Sequence, residues 1–264
     1  MPSRRIHLLP WTVGLAVLCS PISGILGQED LSHQELFPCG ISVENGGGVY
    51  LLRDEFLTGD RFSGPMPYFA VSLSRFRDHH GFRLRMKVLS SHDVSSRYVT
   101  TDISQVSLCR DDIYPIGRVS ILDRDLVAYA GPFTELFFYY ASPQMARFEM
   151  VPRDISFAGL FSMGVHSEVI VPLQQSLRLE ASVHLSLISI GLRSYDFFDN
   201  QASIFGLYDP LSGLNMTAAI SLRYQVTKHI SAQLADHIQL TRIRERGPRN
   251  SVANNLIGGL TFHF

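Results

Sequence analysis

The feature that most constrains this chain is an alternation of apolar and polar residues with a period of two, and its last residues, 254–264, show it clearly. Leu256, Leu260, Phe262 and Phe264 fall on one side of an extended backbone, and the other side is mostly polar. The pattern predicts a β-strand with one apolar face and one wetter face. A strand of a membrane-spanning barrel fits this description, and so does a strand of a soluble β-sandwich.

The same alternation recurs along the chain. Four apolar residues alternate with three cations in 82–88, and six apolar residues alternate with polar or charged ones in 177–187. A helix would spread these charges around its axis, whereas a strand places them on one face. The pattern predicts about ten strands, at 48–58, 67–77, 82–91, 98–108, 129–141, 157–171, 176–190, 215–226, 230–242 and 253–264.

The connections between these segments differ in length. Short turns on one side of a membrane and longer loops on the other are typical of outer-membrane barrels, whose closure needs an even number of strands. Region 110–128 fits this scheme least well, because it is either a long turn or an extra hairpin that would make twelve strands. Asp236 interrupts an apolar row, which predicts a bulge or a position near the headgroups. The short connections lie near 78–81, 173–176 and 227–229, and the longer ones near 59–66, 91–97, 142–155, 192–213 and 244–251.

The composition excludes several classes of protein. Charged residues make up 18% of the chain, which is below the typical quarter. The net charge of −1 offers no basic surface to a nucleic acid. The mean hydropathy of +0.10 is too low for a helical membrane protein. Beyond residue 27, no run of about 18 apolar residues is free of charges, so no transmembrane helix is predicted.

Residues 1–27 are typical of a secretory signal peptide. Arg4 and Arg5 precede an apolar run over about 8–18, and small residues follow, which is the order of regions in such a signal. We expect cleavage at Gly27–Gln28, and an uncleaved N-terminal anchor is the alternative.

Export leads to the predicted domain organisation. A periplasmic segment over 28–47 is expected to precede a barrel over 48–264 in the outer membrane. Cys39 and Cys109 remain after cleavage. An oxidising compartment allows a disulfide between them, and two free buried thiols fit equally well.

The export signal, the alternating strands, the two classes of connection and the final aromatic residue together resemble bacterial outer-membrane β-barrel proteins. In that class, the barrel-assembly machinery reads the last strand with its terminal aromatic residue as a signal. The last strand of this chain is similar to that signal, and Leu260, Phe262 and Phe264 occupy the matching positions. The resemblance implies an all-β, antiparallel, up-and-down transmembrane barrel that is monomeric and contacts outer-membrane lipid. It is a resemblance to an architecture, and a fold does not supply an activity.

The inward faces of the predicted strands carry charges of both signs at similar depths. A barrel of this size has a narrow lumen, and buried charges need partners. We therefore interpret these residues as an interior network of ion pairs and hydrogen bonds that closes the lumen, with a polar path or a small ligand pocket as the alternative. The predicted members of this lumen network are Arg83, Arg85, Lys87, His166, Glu168, Arg178 and Arg223.

One triplet of residues suggests catalysis. His184 and Ser186 share a strand face beside Glu180, and nucleophilic catalysis needs a base within reach of a hydroxyl. The triplet resembles the His-x-Ser motif of outer-membrane lipid A deacylases, but Leu187 stands where that family has Asn. With ten histidines in the chain, one such triplet is expected by chance, so catalysis is not favoured.

No cofactor motif or cluster of metal ligands is visible in the sequence, so neither a cofactor nor a metal is predicted. The most favoured functions are small-solute passage, ligand binding or envelope structure. A lipid-modifying barrel hydrolase is one alternative. The other is a secreted β-sandwich or lipocalin-like binding protein.

Overall fold

The computed structural model describes residues 39–54, 57–77, 80–97, 99–121, 124–146, 155–195, 202–210, 212–244 and 248–264. Within these residues, no helix is long and apolar enough to cross a membrane. The predicted signal peptide, 1–27, lies outside the described residues. The described strands are β1 (Gly40–Asp54), β2 (Thr58–Arg77), β3 (His80–Ser95), β4 (Val99–Ile121), β5 (Arg124–Ala146), β6 (Ser156–Gln174), β7 (Leu177–Tyr195), β8 (Ala202–Tyr208), β9 (Gly213–Thr227), β10 (Ile230–Ile243) and β11 (Arg249–His263).

Ten of the described strands close into an antiparallel barrel, which confirms the predicted fold and strand number. Strands β1 to β7 pair in chain order, β9 pairs with β7 and β10, β10 pairs with β11, and β1 pairs with β11 from Gly40↔His263 to Asp54↔Arg249. This closure of ten described strands is the condition under which strands can cross hydrocarbon.

The twelve-strand alternative is wrong. Region 110–128 forms neither a long turn nor a separate hairpin, because it continues β4 and β5 into one extended hairpin that ends at Ile121↔Arg124. The segment contains Pro115 and Gly117, and the register between the two strands shifts there. This break in the pairing explains why its alternation was hard to recognise in the sequence.

Strand β7 changes partner along its length. Residues 177–185 pair with β9, and Ser189–Tyr195 pair with β8. Between these stretches, Leu187 is the extra residue of a β-bulge against β6. Strand β8 therefore covers the edge of β7 that β9 leaves free. Strand β8 was not predicted, and it lies inside the predicted loop 192–213.

The first strand begins eight residues earlier than predicted, at Gly40 rather than at residue 48. Residues 40–47 therefore belong to the barrel and not to a segment ahead of it. Gly46–Gly48 hid the strand, because they carry no apolar side chain to mark its outer face. A Cβ atom at Gly46 or Gly48 would collide with the backbone of β11, so glycine is what allows the two strands to pair here.

Two other local predictions are corrected. Asp236 pairs with Ile220 and Leu256 in unbroken register, so the bulge is wrong, and Asp236 is exposed on the outer face. The alternative, a position near the headgroups, stays a prediction. The loops expected at 59–66 and 91–97 are mostly strand, since β2 begins at Thr58 and β3 continues to Ser95.

The two ends of the barrel differ. The end that carries Gly40 and Phe264, which we call the terminal end, also carries the connections 78–79, 122–123, 175–176 and 228–229. Each of these has two residues, so the prediction that the short turns share the side of the C-terminus is confirmed. The opposite end, which we call the distal end, carries the longer connections between β5 and β6 and around β8.

The outer wall is apolar and exposed. The residues that alternate outward include Val43, Leu84, Leu136 and Leu222, which are all exposed. On β8, Phe205 and Leu207 continue this surface beside β7 at the distal end. A continuous apolar surface of this extent marks contact with another apolar phase. The buried side chains lie inside the barrel.

Candidate functional site

Alternation along the strands determines which side chains enter the lumen. On β3, Arg83, Arg85 and Lys87 point inward, while Leu84 and Met86 between them are exposed on the outer wall. The same rule places His166 and Glu168 of β6 inside, together with Arg178 of β7 and Arg223 of β9. Every member of the predicted lumen network therefore lies on the inner face.

Ion pairs line the lumen near the terminal end. Arg83 Nη2 lies 3.1 Å from Glu168 Oε2, although β3 and β6 are not neighbours in the sheet. Glu180 receives two guanidinium groups on Oε1, from Arg178 Nε at 2.7 Å and from Arg223 Nε at 3.0 Å. Buried charges are tolerated only when they are paired in this way. These contacts hold the walls of the lumen together.

Lys87 and Glu44 make further contacts across the lumen. Lys87 Nζ donates to Gln239 Oε1 at 2.8 Å, which joins β3 to β10. Glu44 accepts from Tyr68 Oη at 3.0 Å and from Gln233 Nε2 at 3.0 Å. The polar layer thus extends around the barrel beyond the predicted residues.

A second cluster lies deeper in the lumen. His184 Nε2 donates to Asp111 Oδ1 at 3.0 Å, and Cys109 Sγ donates to the same oxygen at 3.2 Å. The rings of His166 and His184 lie 4.9 Å apart, and the Phe133 ring meets His184 edge-on. Asp111 and Cys109 were not among the predicted lumen residues, although they alternate on β4 with exposed Leu108 and Arg110.

The three weak catalytic candidates are not assembled into a triad. Glu180 is paired with two arginines, and His184 contacts Asp111. Ser186 Oγ accepts a hydrogen bond from the backbone nitrogen of Asn215 at 2.8 Å. In the described part of the chain, no hydrogen bond joins His184 to Ser186 or to Glu180. All three candidates face the lumen rather than the outer wall.

The distal half of the lumen is filled by apolar and aromatic side chains, which we call the distal plug. The guanidinium carbon of Arg249 lies 3.8 Å from the centre of the Tyr139 ring, and its Nη2 donates to Tyr50 Oη at 3.0 Å. Arg193 forms an ion pair with Asp54, and both are almost completely buried. The apolar members include Tyr50, Leu52, Phe62, Met66, Leu89, Ile103, Phe137, Tyr139, Leu160, Tyr208 and Ile243.

Two small cavities lie among the described lumen residues. One, of about 20 Å³, is lined by Cys109, Asp111 and His184, together with Arg85 and Lys87. The other, of about 30 Å³ and nearer the terminal end, also contacts Arg85. A water molecule needs at least about 10–15 Å³, so each cavity has room for one or two. The second cavity is also lined by Arg83, Arg178, Glu180, Arg223 and His263.

The end of the chain lies on the outer wall. Leu260, Phe262 and Phe264 of the predicted assembly signal are all exposed there. The backbone nitrogen of Phe264 donates to the carbonyl oxygen of Cys39 at 3.1 Å. Cys39 and Cys109 are both free thiols in the structure, so of the two alternatives for them, the disulfide is wrong.

Comparison with known proteins gives a fold and no family. No protein-family model and no curated protein matches the chain. Among solved structures, it is similar to the outer membrane protease OmpT from Escherichia coli, with 9% identity and a TM-score of 0.50, over 86% of this chain and 97% of that chain. The chain has the architecture of a bacterial outer-membrane β-barrel.

Two other solved structures match with lower TM-scores. The translocator domain of the autotransporter NalP from Neisseria meningitidis matches with 9% identity and a TM-score of 0.47, over 86% of this chain and 89% of that chain. Ail from Yersinia pestis matches with 7% identity and a TM-score of 0.32, over 86% and 99%. The closed barrel and its exposed apolar wall show that the alternative of a soluble sandwich or lipocalin-like protein is wrong.

Proposed function

We propose that this protein is a closed, non-conducting barrel of the outer membrane that serves envelope structure through its lipid-facing wall and its two rims. The observation that carries the proposal is the filling of the lumen by the side chains of the described residues. The distal plug occupies one half, and ion pairs occupy the other. The cavities of about 20 Å³ and 30 Å³ are too small for a solute path.

The proposal takes the terminal end as periplasmic and the distal end as extracellular, because short turns face the periplasm in barrels of this architecture. Outer-membrane lipid is the partner of the apolar wall. The barrel-assembly machinery is the partner of the last strand, where Leu260, Phe262 and Phe264 present their side chains outward. The protein acts as a monomer and needs no cofactor for this role.

Small-solute passage is the function that the geometry supports least. A conducting barrel needs a continuous aqueous path, and here Arg193 and Arg249 are buried within the distal plug rather than lining water. A lipid hydrolase is also poorly supported, since His184 and Ser186 face the lumen and Ser186 Oγ is bonded to the backbone of β9.

Conductance in a planar lipid bilayer tests the proposal. We expect no stable unitary current from the wild-type barrel after its folding has been verified by heat-modifiable migration on a gel. The matched control is a variant in which Phe137, Tyr139 and Arg249 are all replaced by Ala, which removes the centre of the distal plug. Current steps should appear in this variant only. Steady unitary conductance of the folded wild-type protein would refute a closed lumen.

A further inference from the structure

Three side chains with different donor atoms converge in the middle of the lumen. Cys109 and Asp111 lie two residues apart on β4, so both point inward, and His184 reaches them from β7. Cys109 Sγ, an Asp111 carboxylate oxygen and a His184 ring nitrogen all lie within 4.8 Å of one another. The two shorter separations are the 3.0 Å and 3.2 Å contacts to Asp111 Oδ1.

The cavity of about 20 Å³ opens beside this cluster. His237 of β10 lines the same cavity, and it is only 4% exposed. Its Nδ1 atom is buried and has no hydrogen-bond partner among the described residues. A buried ring nitrogen without a partner is costly unless a water or an ion completes it. This unpartnered nitrogen is a second and independent indication that the cavity binds a water molecule or an ion.

We propose that Cys109, Asp111 and His184 bind one zinc ion, whose fourth position faces the cavity. A thiolate, an imidazole and a carboxylate together are a donor set that suits Zn²⁺, whereas Ca²⁺ and Mg²⁺ prefer oxygen alone. The fourth ligand is a water molecule in the cavity, where His237 can receive its hydrogen bond. On binding, the thiol proton of Cys109 leaves to solvent and His184 coordinates as neutral imidazole.

Two of the three donor separations are close to what zinc requires, and the third, between Cys109 Sγ and the His184 ring nitrogen, is at most 4.8 Å and closes when both bind one ion. Zinc–ligand bonds of about 2.0–2.3 Å in a tetrahedron place the ligand atoms about 3.3–3.7 Å apart. The contacts to Asp111 Oδ1, 3.0 Å and 3.2 Å, therefore need to open by only a few tenths of an ångström. The His184 ring is already held between Phe133 and His166, whose ring centroids lie 5.3 Å and 4.9 Å away.

The charges around the cavity decide which form of the cluster binds a metal. Arg85 and Lys87 line the cavity and oppose a free cation. A thiolate and a carboxylate together carry two negative charges, which neutralise Zn²⁺. Glu135 lines the same cavity and offsets one of the two cations. Zinc is therefore expected to bind here only with sulfur as a ligand.

The site is reached from the terminal end. Arg85 lines both this cavity and the larger one next to it, which has the more polar surroundings and lies nearer the rim. A movement of this one side chain would join the two cavities, and this is the route by which we expect water and small ions to reach the site. A zinc site of this size fits inside a closed lumen. The proposal of a non-conducting barrel and the proposal of a zinc site can therefore each be refuted without the other.

Cobalt substitution tests the zinc proposal. The full chain is prepared with Cys19→Ser and Cys39→Ser, so that Cys109 is its single thiol, and folding is verified by heat-modifiable migration. We expect one Co²⁺ per barrel, a thiolate-to-cobalt charge-transfer band, tetrahedral d–d bands, and displacement of all of these by Zn²⁺. A folded barrel without the charge-transfer band, or with octahedral bands alone, would overturn the proposal.

Variants of the other two ligands locate the site. Asp111→Asn and His184→Gln should each weaken Co²⁺ binding by at least about tenfold, since even outer-sphere changes at metal sites have that effect. Ser186→Ala, which alters the neighbouring inward side chain on β7, is the matched control and should leave binding unchanged. Unchanged binding in both ligand variants would also overturn the proposal. If a ligand variant does not fold, the presence or absence of the charge-transfer band in the folded single-thiol barrel decides whether the proposal holds.

Discussion

The distal and terminal halves of the lumen are closed by different physical means. The distal plug is mainly hydrophobic packing, which is non-directional and fills space, and its arginines are each held by a specific partner. The terminal half is closed mainly by ion pairs and hydrogen bonds, which are directional and leave gaps between them, beside a smaller apolar cluster of Phe76, Ile113, Val127, Tyr129 and Ile170. This difference explains why the cavities and the Cys109, Asp111 and His184 cluster lie outside the distal plug.

The largest expected effect comes from breaking the ion pair within the distal plug. Asp54→Ala removes the partner of Arg193, which is 1% exposed, and also an acceptor of Ser156. Because the guanidinium is left buried without its charge partner, the free energy of unfolding should fall by about 3–5 kcal/mol. Denaturant titration of the refolded barrel, with the folded fraction read from gel migration, measures this change in the free energy of unfolding.

The control for this variant is Asp102→Ala. Asp102 pairs with His92, which is well exposed, so the loss should stay within about 1 kcal/mol. Equal losses in the two variants would mean that the ion pair within the distal plug is as solvated as an exposed one.

The second prediction tests whether the distal plug is packed like the core of a soluble protein. Leu89→Ala should lower the free energy of unfolding by about 2–5 kcal/mol, because Leu89 is 1% exposed and its loss leaves a cavity. Leu84 lies on the same strand but faces the outer wall. Leu84→Ala is therefore the matched control and should cost clearly less. A smaller effect for Leu89 than for Leu84 would contradict a packed plug.

The third prediction concerns the ion pairs of the terminal half. Glu180→Gln weakens contacts to Arg178 and Arg223, and we expect a loss of about 1–3 kcal/mol. The loss is smaller than for Asp54→Ala because the adjacent cavity admits water to both guanidinium groups. Denaturant titration of both variants in the same detergent compares them directly. A larger loss for Glu180→Gln than for Asp54→Ala would mean that the ion pairs of the terminal half, and not that of the distal plug, are the better shielded from water.

The smallest expected effect is that of Ser186→Ala. Ser186 Oγ accepts one hydrogen bond from the backbone of Asn215, so the free energy of unfolding should fall by about 1 kcal/mol. Hydrolysis of lipid in membranes containing the protein should be the same for the variant and the wild type. A loss of hydrolysis in the folded variant would restore the hydrolase hypothesis.

Much of the barrel could be predicted because alternation is a local property. It placed Arg83, Arg85 and Lys87 on the inner face of β3 and Leu260 and Phe262 on the outer face of β11. It failed where local pattern is weak. The glycines at 46–48 concealed the start of β1, and β8 is short and pairs with only part of β7.

The candidate metal site was beyond prediction for a different reason. Cys109 and Asp111 lie two residues apart on β4, and a pair of this kind does not by itself indicate a metal site. The third member of the cluster, His184, lies 73 residues from Asp111 in the chain. Their meeting depends on the closure of the sheet and on its register. The bulge at Leu187 is a further feature that local alternation does not show. Up to Ser186 the inward residues of β7 have even numbers, and from Ser189 they have odd numbers.

The sequence by itself determined the class of fold and the face of each strand, because a period of two assigns every side chain to one side of an extended backbone. Only the tertiary structure decided which inward side chains meet, which half of the lumen is apolar and which is ion-paired. Contacts such as Arg83 to Glu168 join strands that are not neighbours. Their geometry exists only after ten strands have closed in one register, which no local pattern encodes.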